Sequence, residues 1–137
     1  MDSGSNCLPN KVTYVDHYHI SQRGDEAYLI SNKIKLGFGP SAQNYLTYDY
    51  SYSGYSSAHS DGFRIDISRD CGHTWDSIYG ASGSNLATTP YQSSVWYPTC
   101  DSWKTDSINL TSLGYNNDTI LIRLSLIHIS EPTRRDQ

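Results

Sequence analysis

The sequence predicts an all-β fold, an antiparallel β-sandwich, and three observations predict it. Apolar and aromatic residues recur at every second position in several separate stretches, the spacing of a half-buried strand. Gly, Ser, Asn and Asp turns separate these stretches, and helical periodicity appears over no useful length, which argues against an alternating α/β plan. Tyr, a residue that packs well on a pleated surface, occurs 12 times in 137 residues.

The elements follow in order. Ala27 to Leu36 puts Tyr28, Ile30, Ile34 and Leu36 at alternating positions and ends at the breaker Gly37-Phe38-Gly39-Pro40. From Asn44 to Tyr52 the residues Leu46, Tyr48, Tyr50 and Tyr52 share one parity. They form either an inward face, the default reading, or an exposed aromatic ladder for stacking on sugars. Phe63, Ile65 and Ile67 alternate between Gly62 and the turn Arg69-Asp70-Cys71-Gly72. Thr74 to Tyr79, Lys104 to Leu110 and Thr119 to Arg123 supply three further strands. A long polar connection without a clear period lies between Gly80 and Asp101, and a loop of that length in a compact domain is often functional.

Size and charge bound the function. At 137 residues the chain suits one domain with a real core. Hydrophobic content is 36% and charged content 18%, the polar, aromatic-rich balance of extracellular β proteins. The net charge of -4 comes from scattered residues, so the basic stripe that nucleic-acid binding requires is missing. No apolar run approaches the roughly 20 residues of a membrane helix. Met1 to Asn10 lacks the charged-then-apolar pattern of a signal peptide, so an export signal is expected upstream.

The end of the chain reads as foreign. From Leu124 it runs Leu-Ser-Leu-Ile-His-Ile-Ser-Glu-Pro-Thr-Arg, which resembles the translated transposon-end adapter used in sequencing libraries. The native frame is therefore expected to stop near Arg123, with residues 124–137 set apart from the fold. The alternative is an ordinary last strand, Ile120 to Ile129.

A family resemblance rests on Ser60-Asp-Gly-Phe-Arg-Ile-Asp-Ile-Ser-Arg-Asp-Cys-Gly-His-Thr-Trp75, then Tyr79, Ser82 to Thr88, Pro98, Trp103-Lys-Thr105, Ile108-Asn-Leu110 and Ile120-Leu-Ile-Arg123. Upstream, Gly24-Asp-Glu-Ala-Tyr-Leu-Ile-Ser31 fits the same pattern. The chain resembles the cleaved-adhesin family of secreted Bacteroidetes proteins from Gly24 to Arg123, residues 1–23 being a lead-in or the N-terminal part of the sandwich. The resemblance implies a concanavalin-like jelly roll, export by the type IX secretion route to the cell surface or outside, and a non-catalytic adhesion role within a larger protein, in some cases appended to a protease. Host or matrix proteins, glycans and other domains of the parent chain are the implied partners. The family continues past its Ile-Arg strand into a closing strand that this sequence lacks, which predicts an incomplete jelly roll with an exposed edge.

The candidate site residues follow from chemistry. Asp70-Cys71-Gly72 suits a tight turn, with Asp bonding local backbone and Gly accepting positive φ, and Trp75 is expected as a core anchor after it. Tyr91, Trp96 and Tyr97, with Tyr50, are the candidate aromatic contacts for a ligand. Among the three cysteines, a Cys71 to Cys100 bridge would pin the long loop, stabilising by roughly 3 kcal/mol in the chain-entropy model, with Cys7 left over. The alternative is three reduced thiols. No Cys-x-x-Cys or His-Glu-x-x-His phrase brings zinc ligands together, and His17, His19, His59 and His73 read as exposed. A structural calcium in the intact domain would draw on Asp25 or Glu26, by analogy with related jelly rolls. No other cofactor is expected. Catalysis is disfavoured: outside the tail Glu26 is the one glutamate, Asp49, Asp66 and Asp106 read as solvent-face positions, and no Gly-x-Ser-x-Gly elbow exists. Asn109 and Asn117 begin formal Asn-x-Thr phrases that carry little weight in a bacterial chain. A spacer domain without a ligand is the third reading, after adhesion and carbohydrate binding.

Overall fold

A computed structural model describes residues 26–37, 39, 41–54, 61–92 and 98–128. These build two antiparallel sheets from seven strands: β1 (Glu26–Ile30), β2 (Ile34–Lys35), β3 (Tyr45–Tyr50), β4 (Asp61–Ser68), β5 (Asp76–Ser82), β6 (Lys104–Asn109) and β7 (Thr119–His128). The larger sheet has the order β1-β7-β4-β5, with β2 also on β7, and the smaller pairs β3 with β6. Helical structure among the described residues is limited to short 3-10 turns at Gly83–Asn85, Cys100–Ser102 and Thr111–Leu113. The fold is all-β, as the period-two pattern predicts.

The core sits where the alternations meet. Ile65 and Ile67 of β4 are fully buried, and Ile67 joins Leu36, Leu110, Tyr115 and Ile120 in one cluster. Leu46 of β3 and Ile108 of β6 pack against that cluster from the smaller sheet, so the two sheets share the core. Each fully buried Ile contributes about 1.5–3 kcal/mol by leaving water. The parity predicted for β3 is the parity observed: Leu46, Tyr48 and Tyr50 are half-buried, whereas Tyr45, Thr47 and Asp49 are exposed. The Tyr48 ring lies 5.8 Å from both Phe63 and Tyr50, which makes these tyrosines packing residues.

Two local irregularities change which residues face inward. Ile30 opposes Arg123 but Ile34 opposes Ile120, so the β1–β2 segment carries one residue more than β7 over this span. Ser31 absorbs it: its amide bonds the Ile122 carbonyl at 2.9 Å, and its hydroxyl oxygen accepts the Ile122 amide at 2.9 Å. A one-residue slip reverses faces, as in a bulge. Tyr28 and Ile30 are therefore more than half exposed, against the expectation that they share an inward face with Leu36. A second shift falls between Ile65 and Asp66, where Tyr79 and Ser77 are the β5 partners and Ile78 is the extra residue.

The last strand differs from its expected end at Arg123. β7 runs on to His128, with Leu124 opposite Ile65 and Leu29, and Leu126 opposite Phe63 and Ala27. Residues 124–128 thus occupy a central position in the larger sheet, between β1 and β4. Ser125, in the middle of this extension, is fully buried, and its Oγ has no hydrogen-bond partner among the described residues.

Candidate functional site

The connection after β5 folds back against the chain leaving β3. A 3-10 turn at Gly83–Asn85 starts it, with the Leu86 amide donating to Gly83 O and the Leu86 side chain buried. Thr88 then clamps Tyr52: its amide reaches Tyr52 O at 2.8 Å, and its Oγ1 accepts the Tyr52 amide at 3.0 Å. Two more bonds continue the seam, from Gln92 N to Gly54 O at 2.8 Å and from Ser53 Oγ to Pro90 O at 3.0 Å. Further on, the hydroxyl of buried Ser102 accepts the Thr99 amide at 2.9 Å, and Ser51 Oγ donates to Ser102 O at 2.9 Å, which fixes the chain just before Lys104 opens β6. Polar Ser and Thr residues thus hold a loop that has no periodic core of its own.

These bonds shape a shallow, open groove of about 430 Å³, bordered by Ser84, Thr89, Pro90, Tyr91 and Lys104. Tyr91 is 47% exposed. Its ring rests on the backbone at Gly54, where a Cβ would come within 3.0 Å of Cδ1 and Cε1, so the glycine permits the contact. Lys104 is exposed and has no ion-pair partner among the described residues.

The other expected site residues are distributed as follows. Tyr91 is presented to solvent, whereas Tyr50 is half-buried and stacked toward Tyr48, away from any ladder. Trp96, Tyr97 and Asp25 lie outside the described residues, as do Cys7, His17, His19 and His59. Glu26 is exposed on β1, 4.0 Å from Arg64 Nη2. No group of three or more His, Cys, Asp or Glu side chains gathers for a metal among the described residues.

The Cys71 to Cys100 bridge is not formed. Cys71 is a free, exposed thiol, and Cys100 is disulfide-bonded. Topology explains it. Cys71 lies in the turn after β4, whereas Cys100 opens the 3-10 turn Cys100–Ser102, which Ser51 bonds through Ser102 O, and the next residue, Tyr52, bonds Asp61 at the first residue of β4 at 2.8 Å. Strand β4 has eight residues. At about 3.3 Å per residue it spans far more than the roughly 7 Å between Cα atoms that a disulfide bridges.

The turn itself matches its expectation, with one addition. Asp70 Oδ1 accepts the Thr74 amide at 2.8 Å, Oδ2 accepts the Thr74 hydroxyl at 2.6 Å, and Ser68 Oγ donates to Oδ1 at 2.7 Å. These bonds, those from Thr74 first, hold the carboxyl well below its ordinary range. Gly72 has φ +91°, and Cys71 also takes positive φ, +63°.

Sequence reasoning missed a buried ion cluster on the outer face of the larger sheet. Asp66 is only 2% exposed, not a solvent-face residue. Arg123 Nε and Nη2 reach its Oδ2 at 3.0 and 2.9 Å, and Arg64 Nε reaches Oδ1 at 3.1 Å. The Arg123 guanidinium lies 4.3 Å above the Trp75 ring and 5.2 Å from that of Tyr28. Trp75 is thus half-buried against an arginine instead of anchoring the core. Asp106 also departs from the solvent-face reading: it opposes Tyr48 and accepts its hydroxyl at 3.2 Å. Burial, and then Asp106, push the Tyr48 phenol far above its ordinary pKa.

A hollow of about 370 Å³ on the outer face touches Gly62, Arg64, Gly80 and Ile127, but its cation already serves Asp66. The Tyr91 groove is therefore the candidate site: it combines an exposed ring, hydroxyls and an uncommitted cation. No protein-family model matches the chain, and neither a curated protein nor a solved structure matches it.

Proposed function

We propose that this chain is a non-catalytic extracellular binding module, an adhesion domain of jelly-roll type from a larger secreted or surface protein. The observation that carries the reading is Tyr91. A loop pinned at Thr88, Pro90 and Gln92 holds a large ring half in solvent at the mouth of a groove, next to Lys104, which has no ion-pair partner among the described residues. Loops fixed on a rigid scaffold are where recognition is usually placed. An exposed aromatic of that kind serves as a contact for protein or glycan.

The carboxylates support the non-catalytic part. Asp66 is held by two arginines, Asp61 by the Tyr52 hydroxyl, Asp70 by the turn, Asp106 by Tyr48 and Asp49 by the Thr105 hydroxyl. Each has a structural partner, whereas glycoside hydrolysis needs two carboxyl groups facing a cleft. The resemblance to cleaved adhesins from Gly24 to Arg123, most specific in the phrase that forms the β4–β5 turn, supports the same role and the secreted setting.

The test is an array of matrix proteins and glycans probed with the 137-residue chain and its Tyr91→Ala variant, with calcium and with chelator. Saturable binding that Tyr91→Ala abolishes in a folded variant is the expected result. Silence on every surface from a folded chain would leave a spacer domain as the better account.

A further inference from the structure

We propose that the Tyr91 groove recognises a negatively charged pyranose, one bearing a carboxylate or sulfate. The proposal rests on the binding-module reading above and names the ligand class of the same site. Three features meet in the groove. The Tyr91 ring, backed by Gly54 and 47% exposed, offers an apolar face of the kind on which the C–H face of a sugar ring lies. Ser84 borders the groove with a hydroxyl that can donate to or accept from a sugar hydroxyl, and Thr89, whose Oγ1 donates to Pro90 O at 3.3 Å, keeps its acceptor capacity, while Thr88 is already committed to Tyr52. Lys104, on the same groove, has no carboxylate partner among the described residues.

The charge distribution makes Lys104 the discriminating group. The chain carries a net charge of -4, so a polyanion is repelled by the molecule as a whole and gains nothing from non-specific attraction. Arg64, Arg69 and Arg123 are each paired with an aspartate. Lys104 is thus a cation free to meet an anion beside an aromatic platform. A shallow, open groove also fits a sugar chain lying across it better than an enclosed small ligand.

The experiment measures binding of the 137-residue chain to hyaluronan oligosaccharides (carboxylate), keratan sulfate (sulfate) and neutral cello-oligosaccharides, at low and high salt. Variants are Tyr91→Ala, Gly54→Ala, which displaces the ring, and Lys104→Met, with circular dichroism checking the fold. The expected result is binding to one or both anionic sugars, weakened about tenfold or more by Tyr91→Ala or Gly54→Ala and about fivefold by Lys104→Met, the last loss shrinking at high salt. Which acid group is bound distinguishes the carboxylate from the sulfate source. Equal binding of neutral and anionic sugars with Lys104→Met unchanged would overturn the proposal. So would silence on all sugars; if a matrix protein then bound and Tyr91→Ala abolished that, the binding-module reading would still stand.

Discussion

Arg123 donates two hydrogen bonds, from Nε and Nη2, to the single oxygen Oδ2 of Asp66, at 3.0 and 2.9 Å. This pairing ties the fourth strand to the seventh in the middle of the larger sheet, and a carboxylate 2% exposed depends on it. Breaking a buried pair by removing one partner costs about 3–5 kcal/mol, because the other charge is left uncompensated. The two arginines differ in exposure, 21% for Arg123 and 34% for Arg64, so the effects are ordered. Urea unfolding is expected to show Arg123→Ala near the upper end of that range, since it also loses the stack on Trp75, and Arg64→Ala below it. Equal midpoints for both variants and the parent would show that the cluster contributes nothing.

Ser125 invites the opposite substitution. Its Oγ is buried without a partner among the described residues, and an unsatisfied buried polar group costs about 1–3 kcal/mol. Ser125→Ala removes that oxygen while leaving the backbone pairing to Tyr28 and Arg64 in place. The expected outcome is a gain of about 1 kcal/mol in unfolding free energy. A loss of stability would show that Ser125 has a partner in solution.

Much of the architecture was legible because alternation is a local property. Phe63, Ile65 and Ile67 read as one face and form one face; Leu46, Tyr48 and Tyr50 likewise read inward and pack inward. What escaped was set by register between strands. The extra residue at Ser31 turns Tyr28 and Ile30 outward, and no pattern within Ala27 to Leu36 announces it. Asp66 alternates with two isoleucines and so reads as solvated. Its burial comes from Arg64, the opposing Arg123 and the aromatic rings around them, which meet only after the sheet pairs. Tyr91 was legible as a candidate because its loop was long and aperiodic. Its neighbour Lys104, 13 positions on by subtraction in the sequence, was not.

Acid should weaken the β4–β5 turn. Asp70 has an ordinary pKa of 3.8, and its bonds from Thr74 and Ser68 depress it in the folded state. A depressed carboxyl contributes stability that is present above the unfolded value and lost as pH falls through the folded value. The stability difference between the parent chain and Asp70→Ala is therefore expected to be constant from about pH 5 to 7 and to shrink below about pH 4. The measurement is urea unfolding of both proteins across that range. A difference that grows on acidification would refute the assignment, as would one that never changes.

The free thiol gives the last prediction. Cys71 is exposed in the turn, while Cys100 is disulfide-bonded. Under native, non-reducing conditions an alkylating reagent should therefore modify Cys71 and spare Cys100, and peptide mass spectrometry locates the label. Cys71 also holds φ +63°, a conformation that costs a side-chain-bearing residue roughly 1 kcal/mol and glycine almost nothing. Cys71→Gly should accordingly leave stability unchanged or slightly higher, the relieved strain offsetting the added freedom of the unfolded chain. Label on Cys100 with Cys71 protected would overturn the assignment of Cys71 as the free thiol.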